Sequence, residues 1–560
     1  MEGEEQRATF GAPDYAVFSV MLVVSSLIGI YYRFTGDRQR TAREYLVANK
    51  NMSVVPVAFS LMASFMSAVT LLGVPSENYY YGTQFVIINI AYIFGTPIAA
   101  YVFLPVFYKL QVISVYEYLE RRFGKATRLA MSATFVIQMV LYMAVVLYAP
   151  AVALSAVTGI SKWLSIISVG LVCTFYCTIG GMKAVLWTDL FQSILMFVSM
   201  FAVVGVGTYR MGGVSNVWNE ALAGGRIEFF KALFLNWPIV SALSLITSSA
   251  GIVMYANFRH CDPLLSGKIT KTDQVLPYFV MLYLGGVPGL PGLFVAGIFS
   301  GALSTVSSAV NSLAAVMLED FVRPFCISQK TYDKHASLIL KVLAFFFGVL
   351  CVLLTGLVEQ LGGVLQASFM IFGVVGGPLL GVFTLGFLCR RANQEAALSG
   401  LVAGLLMGFW IGIGATVYGV KPENLPLLDD KCPTSLGATS ALTTAVSYVS
   451  ENATTAAVII LAENTVSDNG TSVSVIAGER YILPLYRLSY QWYCGFGWLV
   501  VIVVGSIVTL LTGGAKDVDP YCLSPLVTKS LSRRQRSWSL DRVRNSSVSS
   551  SQIPMTAIKE

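Results

Sequence analysis

The stretch VVPVAFSLMASFMSAVTLLGVPSENY, residues 54–79, decides what kind of fold this chain has. An apolar run of ~20 residues crosses the ~30 Å hydrocarbon core of a bilayer as a helix. Gly73 and Pro75 fall in the second half of the run. Proline removes a backbone donor and clashes with the preceding turn, so local unwinding is expected there, with freed carbonyls that can bind a cation. Ser60, Ser64 and Ser67 recur at helical spacing and form one polar stripe facing the bundle. That spacing suits small packing residues, which membrane helix interfaces favour, as well as it suits ligands.

Working outward, the same length rule finds about eleven further runs: 16–33, 83–108, 129–157, 163–179, 185–209, 233–256, 289–318, 336–357, 364–388, 396–417 and 496–511. With 55% hydrophobic residues, 12% charged and a mean hydropathy of +0.69 over 560 residues, the apolar surface exceeds what one water-soluble core could bury. A lipid bilayer is the partner implied. The net charge of +7 calls for no nucleic acid, because Lys and Arg cluster between apolar runs and in the C-terminal tail. The acidic, polar N-terminus lacks the basic start and cleavage site of a signal peptide, so the first helix is expected to be retained.

Charge also orients the chain. Arg38, Arg40 and Arg43 follow the first run, and Arg121, Arg122, Lys125 and Arg128 follow the third, so both loops read as cytoplasmic and the N-terminus as outside. From the other end, Arg533, Arg534, Arg536, Arg542 and Arg544 place the tail inside. The Thr/Ser/Ala-rich segment before the last run carries the sequons at Asn452 and Asn469, expected outside and glycosylated. Arg390, Arg391, Arg323 and Lys330 fall inside by the same count. The two walks collide between the runs 185–209 and 233–256, because the polar residues 210–232 cannot cross hydrocarbon without an apolar helix. An outside N-terminus and an inside C-terminus need an odd number of spans, and the count is even. One helix is therefore expected to be missing near Phe230.

Little material exists for covalent chemistry. The two histidines, His260 and His335, both fall in expected loops and cannot supply a His-based metal site or a Ser-His-Asp triad. Nine cysteines form no CxxC pair, and Cys173, Cys177, Cys351 and Cys389 lie within apolar runs as small hydrophobes. No enzyme is read here, and no cofactor.

Six ordered motifs carry a resemblance: EYLVANKNM (44–52), PVAFSLMASFMSA (56–68), LGVPSENY (72–79), SVYEYLERRF (114–123), TIGGMKAVLWTD (178–189) and STVSSAVNS (304–312). Together they make the chain similar to sodium/solute symporters from residue 14 to about 515, and within that family to the animal branch of sodium-coupled monocarboxylate, multivitamin and iodide transporters. The resemblance implies an all-α transmembrane, LeuT-like bundle of two inverted five-helix repeats, each opening with a broken helix at the site. Relatives carry an apolar helix and a polar Asn-Gln…Gln-Arg-Tyr segment between stretches like GRIEFF (225–230) and KALFLNWP (231–238), which here are adjacent. About twelve helices thus stand where relatives have thirteen, and the lost one is the symmetry mate of 54–79.

The same resemblance implies site residues. Ala63 and Met66 align with positions whose carbonyls hold sodium, Ser304 and Thr305 with the adjacent hydroxyls that complete that site, and the Gly301 carbonyl is a further candidate. Hydroxyl and carbonyl oxygens suit a hard cation. Ser300, Ser304, Ser308 and Ser312 form an i, i+4 column, while the GxxxG pair Gly297 and Gly301 fits close helix packing. Asp189, a costly carboxylate inside a membrane helix, is expected to support the sodium path, with an interfacial pair to Lys183 as the alternative. Phe65, Ser67 and Thr70 match substrate-facing positions, although Thr70 stands where some relatives carry Gln.

Outside, Cys261, Cys432 and Cys494 are expected to supply one disulfide, its pairing open. The Ser-rich tail with Arg534 and Arg536 reads as disordered and cytoplasmic. The organisation expected is an extracellular N-terminus over 1–13, a symporter domain over 14–515 with an extracellular loop at 418–493, and a tail over 516–560. The resemblance implies sodium-coupled symport of a small organic anion, such as lactate or nicotinate, across the plasma membrane by alternating access. Biotin or pantothenate, or iodide, are the alternative substrates, and a non-transporting truncated form is the alternative function.

Overall fold

The computed structural model describes residues 10–35, 52–110, 112, 114–158, 161–227, 240–326, 329–358, 363–418, 425–429, 432, 483–515 and 518–528. Among the described residues there is no strand. In hydrocarbon every backbone N–H and C=O must be satisfied within its own segment, which leaves the helix as the form these apolar runs can take. The helices are α1 (Ala12–Phe34), α2 (Val54–Phe65), α3 (Ala68–Tyr81), α4 (Thr83–Leu110), α5 (Val115–Arg122), α6 (Lys125–Thr158), α7 (Lys162–Arg210) and α8 (Val214–Ala223). There follow α9 (Val240–Phe258), α10 (Val275–Leu284), α11 (Leu290–Val322), α12 (Gln329–Val358), α13 (Val364–Leu388), α14 (Gln394–Tyr418) and α15 (Tyr493–Leu511).

All twelve expected runs meet helix, and nine described helices are long and apolar enough to cross a membrane, or ten with the bent pair α2 and α3. The runs 163–179 and 185–209 appear together as α7, whose 49 residues would reach ~73 Å if straight. That exceeds two hydrocarbon thicknesses, and the chain divides it at Gly181, where φ of 58° suits a residue without a Cβ. The run 233–256 is described only from Val240 onward. Helix α10 had no counterpart among the expected spans, because ten residues are too few to cross.

The expected unwinding at Gly73 and Pro75 is corrected. The helix breaks earlier, at Met66 and Ser67, where α2 and α3 meet at 54°. Met66 is extended at φ −96° and ψ 94°, and Ser67 caps α3 by accepting the Val69 amide at 3.2 Å. Pro75 is carried inside α3 without a break, and Gly73 instead makes room for Leu365, whose Cβ lies 2.7 Å from where a Gly73 Cβ would sit.

Helix α11 is sheathed on nearly all sides, packing on α7, α6, α1, α12, α2 and α3, and forms the axis of the bundle. At its C-terminal end Asp320 accepts from Ser132 at 2.5 Å and Ser114 at 3.1 Å and pairs with Arg128. Arg122 donates to the carbonyls of Gly386 (3.1 Å), Ala392 (2.9 Å) and Cys389 (2.7 Å), closing the end of α13. Residues read from sequence only as loop charges are thus staples.

After α9, Cys261 bonds Cys432, which settles the open pairing, and Cys494 stays free on α15. Beside the disulfide, Tyr79 donates to Asp262 at 2.7 Å, and Leu425 N–H donates to the Tyr80 carbonyl at 3.0 Å. Arg226 donates to the Tyr79 carbonyl at 2.9 Å and lies 4.0 Å over the Tyr255 ring. Val240 begins α9 fifteen residues before Tyr255, or ~22 Å away along the axis. The chain therefore stands at one end of α9 at Arg226 and at the other at Val240. The break expected near Phe230 falls in 228–239, outside the described residues.

Candidate functional site

The last carbonyls of a helix have no intrahelical donor, and the break after Phe65 therefore releases those of the final turn of α2. Ala63 belongs to that turn and Met66 follows it at the break, both buried. Helix α11 meets the break at Gly301, where a Cβ would lie 2.9 Å from the Ala68 nitrogen and 3.0 Å from the Ser67 carbonyl carbon. Only glycine allows that approach. Four residues on, Thr305 donates to the Gly301 carbonyl at 3.0 Å and lies 3.5 Å from the Ala63 carbonyl. Ala63, Gly301 and Thr305 are thereby gathered at the break, with Ser304 beside them.

Asp189 of α7 completes the group. Its side chain is fully buried, one oxygen accepting from Ser304 at 2.6 Å and the other from Ser60 at 2.5 Å. Three helices meet at one carboxylate. The column below continues as Ser308 donates to the Ser304 carbonyl at 3.0 Å, with Ser64 3.3 Å from Ser308. The GxxxG glycines do pack closely, since a Gly297 Cβ would fall 2.6 Å from the Ser199 Cβ. Among the described residues no cluster of His, Cys, Asp and Glu could hold a metal. The donor set at the break is all oxygen, with carbonyls left free by the helix end, and this fits a monovalent hard cation such as sodium.

The three residues expected to face substrate separate. Ser67 is buried and spent on capping α3, while Thr70 is half-buried. Phe65 is 72% exposed, in one stripe with Leu61 and Val54 on the other side of α2. Reading the sequence missed Tyr142, whose hydroxyl donates to Ser67 at 3.3 Å and whose ring meets Phe372 at 4.6 Å. A tyrosine midway along an apolar run, with a polar tip needing a partner, was the available signal. Nearer the surface, Asp273 accepts the Val364 amide at 3.0 Å, and burial raises its carboxyl above the usual range against the pull of that amide and Lys271. Asn452 and Asn469 lie outside the described residues, as do Arg534 and Arg536.

The family model described as "Sodium:solute symporter family" matches residues 45–231 and 229–404. The chain belongs to this family. As a sodium:solute symporter it is a transporter and not an enzyme, and sodium is its coupling ion. A putative sodium-dependent multivitamin transporter of Drosophila melanogaster is 43% identical over 594 aligned positions, covering 94% of this chain and 93% of that one. Sodium-coupled monocarboxylate transporter 1 of Homo sapiens is 40% identical, covering 91% and 89%. The sodium-dependent multivitamin transporter of Oryctolagus cuniculus is also 40% identical, covering 95% and 87%. A solved structure of a Na+-coupled sialic acid symporter superposes with a TM-score of 0.67 at 21% identity, covering 90% of this chain and 99% of the other, and shows the LeuT-like fold.

Two details bear on Phe230. The family match comes in two stretches that abut at residues 229–231, where a continuous match would not divide. The 594 aligned positions also exceed the 560 residues of this symporter, so that alignment opens gaps in it.

Proposed function

We propose that this symporter couples sodium entry to the uptake of a small monocarboxylate, such as lactate or nicotinate, across the plasma membrane. The meeting of Ala63 and Gly301 with Ser304 and Thr305 at the break of α2 carries the reading. It places hydroxyl and carbonyl oxygens where two helices of the bundle join, so that an ion bound there holds them together. Relatives named for monocarboxylates support the substrate, and those named for multivitamins make a vitamin the first competitor, with biotin and pantothenate the vitamins to try and iodide the remaining alternative. The ion enters down its gradient with ~2.3 kcal/mol per charge per 100 mV of potential behind it. Helices α2 and α3 then rock against the scaffold in alternating access. The loop 418–493 faces outside and carries sugar at Asn452 and Asn469.

A second reading has its own observation. The divided family match and the bare stripe of Val54, Leu61 and Phe65 favour a chain that lacks a helix facing α2 and does not transport as it stands. One experiment separates the two. Sodium-dependent uptake of labelled lactate, nicotinate, biotin and iodide is measured for this chain and for one with a relative's helix inserted at Phe230. Lactate or nicotinate uptake by the chain itself supports the first reading. Uptake only after insertion supports the second, and preference for biotin or iodide replaces the substrate.

A further inference from the structure

We infer that Ser60 is a positioning residue for sodium, acting through Asp189 to fix the direction in which Ser304 offers its oxygen. This rests on the reading that Ala63, Met66, Gly301, Ser304 and Thr305 hold the ion. Ser60 stands almost one turn before Ala63 on α2, so it is not itself one of the oxygens at the break. Its hydroxyl goes to Asp189, 129 residues away in sequence.

The chemistry follows from what each group can give. A serine hydroxyl has one proton and two lone pairs, and a carboxylate only accepts. Ser304 spends its proton on Asp189 and therefore has only lone pairs, not a proton, to offer an ion held beside Thr305. A cation needs that orientation. Asp189 can hold the proton there only if its own plane is fixed, and the terminal torsion of an aspartate is broad and nearly two-fold. Ser60 fixes it by occupying the second oxygen. Without Ser60 that oxygen is buried and unpaired, the carboxylate turns to share its donors, and the Ser304 proton swings into the ion's space.

The bridge also couples affinity to motion. Ser60 lies on α2, Asp189 on α7 and Ser304 on α11. When α2 moves away from α7, the Ser60 bond breaks, Ser304 loses its fixed orientation, and sodium is released by the same displacement that opens the site. The coupling needs no change in any sodium ligand.

The test is binding, read without transport. The purified full chain is titrated with sodium against choline in detergent, and the midpoint of the rise in Tm gives the apparent affinity. The parent is expected to respond, and Ser304→Ala with Thr305→Ala to lose the response. Ser60→Ala is expected to move the midpoint to about tenfold higher sodium, as the loss of one hydrogen bond to a charged group predicts. Ser60→Thr, which keeps the hydroxyl, is expected to return within about twofold of the parent, so the effect belongs to the donor and not to packing. A Ser60→Ala midpoint equal to the parent's, with the Ser304 and Thr305 variant silent, overturns the inference and leaves the sodium site standing. If Ser60→Ala does not fold, Ser60→Cys takes its place, and a midpoint unmoved by that weak donor overturns the inference equally. A parent without any sodium response overturns both.

Discussion

The two faces of α2 obey different rules. The face carrying Ser60, Met62 and Ala63 is buried against α7 and α11, and its polar groups find partners on other helices. The face carrying Val54, Leu61 and Phe65 is apolar and exposed, with Phe65 at 72%. The proposed sodium ligands draw on α2 and α11, whereas the proposed substrate cavity would need a wall opposite α2. On that proposal, one helix of twelve residues divides ion from substrate between its two faces.

On the second reading, supplying a helix opposite α2 should have the largest effect. Inserting a relative's helix at Phe230 is expected to take sodium-dependent monocarboxylate uptake from background to about the level of the relative that donated it. Equal uptake before and after insertion breaks the comparison. Next comes the packed face, where Met62→Ala should destabilise by ~2–5 kcal/mol, as large-to-small core changes do, measured as reduced thermal stability in detergent. A smaller cost is expected for Gly301→Ala, whose new methyl meets the Ala68 nitrogen and Ser67 carbonyl carbon. Overpacking of that kind costs ~1–3 kcal/mol, and here it should also weaken the sodium-dependent rise in Tm, because it pushes α11 off the break. The smallest effect belongs to Phe65→Ala, within ~0.5 kcal/mol as for exposed sites. A Phe65→Ala loss as large as that of Met62→Ala would mean that the exposed stripe is covered in the folded protein.

Much of the architecture was legible because hydropathy marks membrane helices one segment at a time. Each of the twelve runs meets helix where it is described. The break of 54–79 was misplaced for an instructive reason. Pro75 signals weakness locally, yet α3 absorbs it, whereas the turn at Ser67 depends on a capping side chain and on the backbone of α11 arriving at Gly301. Long-range contact of that kind leaves no periodic trace. Ser60 shows the same limit: its place in a polar stripe could be read, but its bond to Asp189 could not. Arg122 and Arg128 likewise read as loop charges, whereas carbonyls meet the first and the Asp320 carboxylate and Glu319 carbonyl the second.

The bond between Cys261 and Cys432 closes a covalent ring with 171 residues of separation. Among the described residues, that ring holds four helices long and apolar enough to cross, α11 to α14, an even number, in keeping with both sulfurs on one side of the bilayer. Disulfides persist on the oxidising side and thiols on the cytosolic side. The oxidation state of these two cysteines is thus a record of how the second half of the chain was threaded. A ring closed in the cell reports α11, with Ser304 and Thr305, inserted the right way up. An open ring on the same chain reports an inverted one, before any transport is measured.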